Sequence, residues 1–373
     1  MKHKNILVVG GGIGGMAAAI SLRQRGADVD LVELDANWQV HGAGITISGP
    51  TLRAFAQLGV IEQILAQGYC ADGVRLCDGD GAVLMELPTP RVGGPAIPGG
   101  GGILRPVLAR ILSQATLAAG VKVRLGLTFG AIEQGTHGVR VTFSDGSTGR
   151  YDLLIGADGL YSKVRQHQFP DAAVPQFTGQ GCWRAVLPRP PVIDRPHIFM
   201  GRTAKAGVNP ISQEEMYLFF TQHVPDNPFI EQSTWPRVLA EALAEFGGPI
   251  GAIRDGLDGS SRILYRPLEK LLLTTPWHCG RVVLLGDAVH ATTPHLASGA
   301  GAAVEDALVL AEELDREVPL NDALLAYTRR RLPRCRMIVE NSVRLGELER
   351  SPDSQQAFSL LMRQSQAALA API

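Results

Sequence analysis

The segment NILVVGGGIGGMAAAISLRQRGADVDLVEL, residues 5–34, constrains the fold more than any other part of the chain. A short apolar run, Asn5 to Val9, breaks into a glycine cluster, and Met16 to Arg25 then has helical composition until Gly26 stops it. Residues 28–33 alternate as a second strand. Gly10, Gly12 and Gly15 fit G-x-G-x-x-G in the strand–turn–helix setting that this pattern requires. Gly10 permits the tight turn, Gly12 lets the backbone approach a pyrophosphate, and Gly15 lets helix and strand pack closely. The helix start then offers unpaired N–H groups to phosphate oxygens.

Glu33 stands at the end of the second strand, where an acid can hold ribose hydroxyls. A carboxylate there disfavours a 2′-phosphate, so the site suits FAD or NAD better than NADP. The balance of 35 Lys+Arg against 36 Asp+Glu provides no basic field for nucleic acid. Five scattered cysteines, odd in number and without a C-x-x-C pair, indicate neither a disulfide framework nor a zinc or other metal site. Free thiols in a reducing, cytoplasmic setting are the expectation. The basic, apolar start has the outline of a secretion signal, but its glycines make a poor apolar helix. No run reaches the about 18 apolar residues of a membrane span.

Two later segments repeat the theme of a strand ending at a loop with an acid. YDLLIGADGLYSKVR, residues 151–165, ends its apolar run in Gly156-Ala157-Asp158-Gly159. RVVLLGDAVHATTPHLASGAGAAVEDA, residues 281–307, ends its own in Gly286-Asp287 and continues with small residues past Pro294. The three motifs in this order resemble the single-component FAD-dependent aromatic hydroxylases of the 4-hydroxybenzoate and salicylate hydroxylase type, over about residues 5–335. The PHLASGAGAAVEDA form is most similar to the salicylate and 6-hydroxynicotinate hydroxylase branch.

The resemblance implies an α/β fold: a Rossmann-like FAD/NAD(P)-binding domain, an inserted mixed β-sheet substrate domain and a helical C-terminal part. Residues 1–73, 103–176 and 270–373 would form the FAD domain, and residues 74–102 and 177–269 the substrate domain. Gly10, Gly12, Gly15 and Glu33 would hold the ADP half of FAD. Arg105 would lie near the pyrophosphate and ribityl chain, and Asp158 and Gly159 match a motif tied to FAD and NAD(P)H use. Asp287, after Gly286, would accept from a ribityl hydroxyl, as a carboxylate at the C-terminal edge of a strand can. Pro294, Gly299, Ala300 and Gly301 would let backbone N–H groups approach the isoalloxazine, so that a larger side chain at Gly299 or Gly301 should push the ring away. The chain departs from the common pattern at Ser298, where a glutamine is usual nearby, and at His41, where an arginine often precedes GAGI.

Between Arg165 and Arg281 alternating segments suggest a mixed or antiparallel sheet, with VRLCDGDGAVLMEL, residues 74–87, as a hairpin added to it. VGGPAIPGGGG, residues 92–102, reads as a flexible crossing or lid. The arginine run at 329–331 reads as a solvated helix face.

The implied reaction is hydroxylation of a small aromatic or heteroaromatic ring with O₂, through a flavin C4a-hydroperoxide, with NADH or NADPH as transient reductant. The single dinucleotide fingerprint leaves the choice of reductant open. A near-neutral base would help ionise the ring hydroxyl. His41, His223, His290 and His295 are candidates, with Tyr217 as hydrogen-bonding partner; His41 and Tyr217 form the preferred pair, and His290 is expected to pack behind the flavin loop. The alternatives are a flavin oxidase or dehydrogenase of the same fold, or a non-catalytic flavin-binding regulator. A flavin halogenase is disfavoured because W-x-W-x-I-P is missing. A monomer or homodimer is expected.

Overall fold

Ile6 to Val9 are buried on both faces, which is what a continuous apolar run demands of a parallel strand. Asn5–Val9 pairs in parallel with Asp28–Glu33 on one side and Leu153–Gly156 on the other. In the computed structural model, which describes residues 4–40, 42–349 and 354–373, these strands form the middle of a six-stranded sheet. Lys122–Leu125 closes one flank, and Val282–Leu284 followed by His278–Cys279 closes the other. The chain therefore builds outward in one direction from Asn5–Val9 and later adds strands in the opposite direction. Such a reversal opens a crevice beyond the carboxyl ends of the strands. The loops at Gly10, Ala157–Gly159 and Leu285–Asp287 all leave from that edge.

A second sheet has seven strands in the order Arg262–Lys270, Gln176–Pro188, Glu215–His223, Lys205–Pro210, His197–Met200, Val74–Asp78 and Val83–Leu87. Alternation gives it two faces. Trp183, Ala185, Leu218 and Phe220 pack against Leu239, Leu243, Phe246 and Ile250 on the outer side. Val186, Ile211 and Tyr217 point the other way and meet Ala43 and Leu104 from the first part of the chain. Lys205–Pro210 carries Gly207, Asn209 and Pro210, which weigh against a strand. Gly207 is needed because the Phe219 ring lies over it: an added Cβ would fall 2.6 Å from Phe219 Cε1.

The segment read as a crossing or lid, residues 92–102, is loop and turn over residues 92–99 and enters an ordered strand at its end. Gly100–Leu104 is the middle of a three-stranded sheet, between Gly44–Ser48 and Tyr69–Cys70. Its glycines admit close backbone neighbours, since a Cβ on Gly101 would fall 2.6 Å from Cys70 Sγ. Asn209 Nδ2 donates to Gly101 O at 3.1 Å and ties this strand to the seven-stranded sheet.

Three long helices, Gly299–Asp315, Leu320–Leu348 and Gln355–Ala370, complete the chain. The solvated reading of the arginine run fails at Arg331, which is 1% exposed and ion-paired with Asp306 and Glu305. Tyr327, Arg331 and Cys335 share the buried i, i+4 stripe of their helix. No helix among the described residues is long and apolar enough to cross a membrane.

Candidate flavin and substrate site

The three glycines of the fingerprint occupy three different physical situations. Gly10 has φ +106°, the left-handed region, and a Cβ there would sit 2.9 Å from Asp158 Cα. A Cβ on Gly15 would overlap the carbonyl oxygen of Gly10, so helix and strand are in backbone contact. Gly12 has open space where a side chain would point. It also begins the helix Ile13–Gln24 without a side-chain cap. That is a cradle for a group carrying its own acceptor oxygens.

Glu33 closes the far side of this turn. Its carboxylate accepts from Gly11 N–H at 2.6 Å and from Asp35 N–H at 2.8 Å, while Trp38 Nε1 donates to Gly11 O at 2.8 Å. A carboxylate has about four acceptor positions, so capacity for ribose hydroxyls remains. Asp158 acts differently. It accepts from the Ser162 hydroxyl and from the Lys163 and Val164 N–H groups at 2.7 and 3.0 Å, capping the helix Lys163–Gln168. Its position under Gly10 shapes the turn, while the neighbouring Gly159, at φ +82°, has open space beside it.

Asp287 begins a single helical turn after Gly286, which adopts φ +63°. The Asp287 side chain is uncovered, yet burial raises its pKa, partly opposed by His290 and Arg105. Uncovered but enclosed is the state of a group on the floor of a cleft. Arg105, half-covered at the start of the helix Arg105–Ala118, lines the same cleft. Burial lowers its pKa, as does Arg184, while Asp287 and Tyr217 oppose the shift.

The loop carrying Asp287 is held from behind. Asp306, fully buried, accepts from Gly286 N–H at 3.0 Å, His290 Nε2 at 2.5 Å and Arg331 Nε at 2.7 Å. Burial opposes the charged imidazole of His290, but Asp306 outweighs it and raises the pKa well above the usual histidine range. His290, Asp306 and Cys335 could together offer ligand atoms to a metal, but the Arg331 guanidinium already stands among them. His290 thus packs behind the loop, and its proton serves Asp306.

Among the small residues past Pro294, Gly301 serves helix packing. Pro294–Leu296 is one 3₁₀ turn, and Ala297 is left-handed at φ +48°. A Cβ on Gly301 would fall 3.0 Å from Thr51 Cβ, so this glycine abuts the helix Gly49–Leu58. The expectation that a larger side chain at Gly301 acts through the flavin ring is therefore replaced by a packing role. Gly301→Ala should lower stability by about 1–3 kcal/mol through overpacking, read as a drop in Tm. An unchanged Tm would contradict this contact. Gly299 and Ala300 are half-covered at the helix start, and a Cβ on Gly299 would meet only Thr292 Cγ2, at 3.3 Å.

Tyr217 lies on the inner face of the seven-stranded sheet, buried with Ala43, Val186 and Ile211, and its hydroxyl is 2.5 Å from Thr46 Oγ1. Asn209 Nδ2 donates to the same threonine oxygen at 2.9 Å. Burial raises the Tyr217 pKa, so its phenol stays protonated at neutral pH. His223 stands on the same strand, six residues on, about 20 Å away at the rise of a strand, and is exposed. The structure does not bring it to Tyr217. His295 is enclosed between Thr293 Oγ1 at 3.0 Å and Glu349 Oε2 at 3.6 Å, where the last helices meet the sheet. His41 lies outside the described residues.

These residues fit FAD: an open glycine cradle, an acid at the ribose position and an uncovered carboxylate further along one crevice. An α/β molecule with this parallel sheet and this site is a flavoprotein. The family model described as FAD binding domain matches residues 3–342, and the chain belongs to that family of FAD-dependent monooxygenases. It is 32% identical over 349 residues to the 2-heptyl-3-hydroxy-4(1H)-quinolone synthase of Pseudomonas aeruginosa, covering 92% of this chain and 89% of the relative. It is 29% identical over 317 residues to the 6-hydroxynicotinate 3-monooxygenase of Bordetella bronchiseptica, covering 82% and 81%. The solved structure of Klebsiella pneumoniae HpxO complexed with FAD and uric acid shares the fold, with a TM-score of 0.86, 24% identity and coverage of 99% and 97%. The chain is an FAD-dependent, NAD(P)H-using monooxygenase of aromatic or heteroaromatic rings.

Proposed function

We propose that the aromatic substrate lies between the flavin and the face of the seven-stranded sheet that carries Tyr217 and Phe219. The observation that carries this reading is the uncovered Asp287 beyond the carboxyl edge of the parallel sheet, with Tyr217 on the sheet face that meets Ala43 and Leu104 next to Arg105. Residues 1–73, 103–176 and 270–373 are read as the FAD part, and residues 74–102 and 177–269 as the substrate part. Gly10, Gly12, Gly15 and Glu33 hold the ADP half, with Asp158 and Gly159 shaping the loop beside them. Asp287 accepts from a ribityl hydroxyl, Arg105 neutralises charge nearby, and the Gly286, Pro294, Gly299 and Ala300 backbone borders the ring system.

Bound FAD supplies the redox chemistry, taking electrons from NADH or NADPH so that dioxygen gives one atom to the ring and one to water. The chain excludes water and orients the substrate. Thr46 Oγ1 already accepts from Asn209, so its own hydrogen can be donated to Tyr217 Oη. That leaves the Tyr217 O–H free to donate to a ring oxygen. Tyr217 is then a hydrogen-bond donor to substrate, and its raised pKa argues against a base. Tyr217→Phe should raise KM about tenfold with flavin content unchanged, as expected for one lost hydrogen bond. Steady-state oxidation of NAD(P)H checks this, and an unaltered KM would remove Tyr217 from substrate contact.

The relatives named above make quinolones and hydroxypyridine carboxylates the first rings to test, and the sequence resemblance adds small phenols. A screen of NAD(P)H oxidation over these, with products identified by mass, tests the reading. Peroxide as the sole product with every ring would favour an oxidase instead. We read the protein as a cytoplasmic monomer or homodimer, and the free thiols support the reducing setting.

A further inference from the structure

Gly11 stands between Gly10 and Gly12 with no positive φ to require a glycine. An added Cβ there would fall 2.5 Å from Trp38 Nε1 and 3.1 Å from Glu33 Oε2. An indole and a carboxylate thus converge on one point of the dinucleotide turn. Trp38 reaches that point in a strained conformation. Its φ is +49°, a left-handed value at which a bulky side chain crowds its own backbone. Strain of this kind gathers at ligand sites, where surrounding contacts over-determine it.

The contacts that impose it are local. Asp35 Oδ1 accepts from Asn37 N–H at 2.8 Å, Asp35 Oδ2 from Gln39 N–H at 3.0 Å, and Asp35 O from Trp38 N–H at 3.2 Å. Asp35 N–H itself donates to Glu33 Oε1 at 2.8 Å, so the winding begins at the Glu33 carboxylate. It swings the half-buried indole back against the core, where Nε1 donates to Gly11 O at 2.8 Å. A peptide unit is planar and trans, so its C=O and N–H point in opposite directions. Anchoring Gly11 O therefore turns the Gly12 N–H away from the indole, and that N–H has no backbone partner among the described residues. The preceding peptide is anchored from its other end, since Gly11 N–H donates to Glu33 Oε2 at 2.6 Å. Both peptides flanking Gly11 are fixed, while Gly12 beside them borders open space.

We propose that Trp38 is a positioning residue of the FAD site: with Glu33 it clamps the two peptides around Gly11 and holds the Gly12 N–H in place for the pyrophosphate before the cofactor arrives. This rests on the reading of Gly10, Gly12, Gly15 and Glu33 as the turn that binds the ADP half. The test compares the full chain with Trp38→Phe, which keeps an aromatic ring against the core and removes the indole N–H. The Kd for FAD should rise about three- to tenfold, the effect of one lost hydrogen bond that preorganises a site. At a fixed FAD concentration, the rise in Tm that FAD confers should shrink accordingly. ADP, which carries adenosine and pyrophosphate without the flavin, should weaken by the same factor in calorimetric titration of the flavin-free chain. Trp38→Leu carries the comparison if the Phe variant does not fold. Unchanged affinities for FAD and ADP, or a weakening of FAD alone, overturns the proposal. So does a lower Tm of the flavin-free variant with the FAD increment intact, since Trp38 would then only pack. If ADP does not bind wild type, the assignment of the turn fails with it.

Discussion

Asp287→Ala is expected to yield protein that purifies without yellow colour and takes up added FAD about ten- to a hundredfold more weakly. That range follows from the loss of one hydrogen bond to a charged acceptor, about 1.5–3 kcal/mol. The substitution removes little that holds the chain itself together. Among the described residues no side-chain hydrogen bond or ion pair engages Asp287, and its loop is fixed through Gly286 N–H and His290 by Asp306. The carboxylate instead faces an uncovered cleft at the cost of desolvation, an arrangement that serves a ligand hydroxyl. Asp287→Asn keeps an acceptor oxygen and should retain part of the affinity. Visible absorbance and an FAD titration decide, and normal flavin occupancy in Asp287→Ala would remove the residue from the site.

Asp306→Ala is expected to cost about 3–5 kcal/mol, enough to show as a large fall in Tm or in soluble yield. The magnitude comes from what is left behind: the Arg331 guanidinium without its nearer partner, and His290 with no counter-ion, both 1% exposed. Burial works against the Asp306 carboxylate, yet His290 and Arg331 hold its pKa at about 2, below the ordinary 3.8. A depressed carboxylate pKa stabilises the fold above the unfolded value, so this contribution is present above about pH 4 and disappears as pH falls toward 2. His290 has the opposite sign, since its pKa is raised. Its contribution is complete below about pH 6.5 and is lost only as pH rises through the elevated folded value. Thermal unfolding at several pH values should show the acid loss in wild type and a weaker one in Asp306→Ala. A Tm for the variant within a degree or two of wild type would contradict the account.

What could be read from the sequence follows a physical division. Gly10 and Gly15 were legible because their demands are local: a positive φ and a backbone contact five residues away admit only glycine. The strands around them, and the hairpin Val74–Leu87, announce themselves by apolar runs and alternation. Gly301 carries the same residue type for a tertiary reason, contact with Thr51 some 250 residues earlier, and no local pattern reveals it. Residues 100–102, the end of the segment read as a lid, hide a strand because a glycine run carries no alternation. Here the missing side chains make room for Cys70 and Pro210. Arg331 was hidden in a charge run, although the spacing of Tyr327 and Cys335 places it on the buried stripe. The antiparallel strands Phe129–Gly135, Gly138–Phe143 and Thr148–Tyr151 carry no motif, and their polar, glycine-broken sequence hides them.

The central claim is that this cleft places an aromatic ring where an oxygen atom from O₂ can be added to it. Turnover of the FAD-loaded protein with NAD(P)H under isotopically heavy dioxygen, using any ring that stimulates NAD(P)H oxidation, tests this most directly. The account predicts a product heavier than the substrate by one labelled oxygen atom. A ring recovered unlabelled, with all the heavy oxygen in peroxide or water, would contradict it.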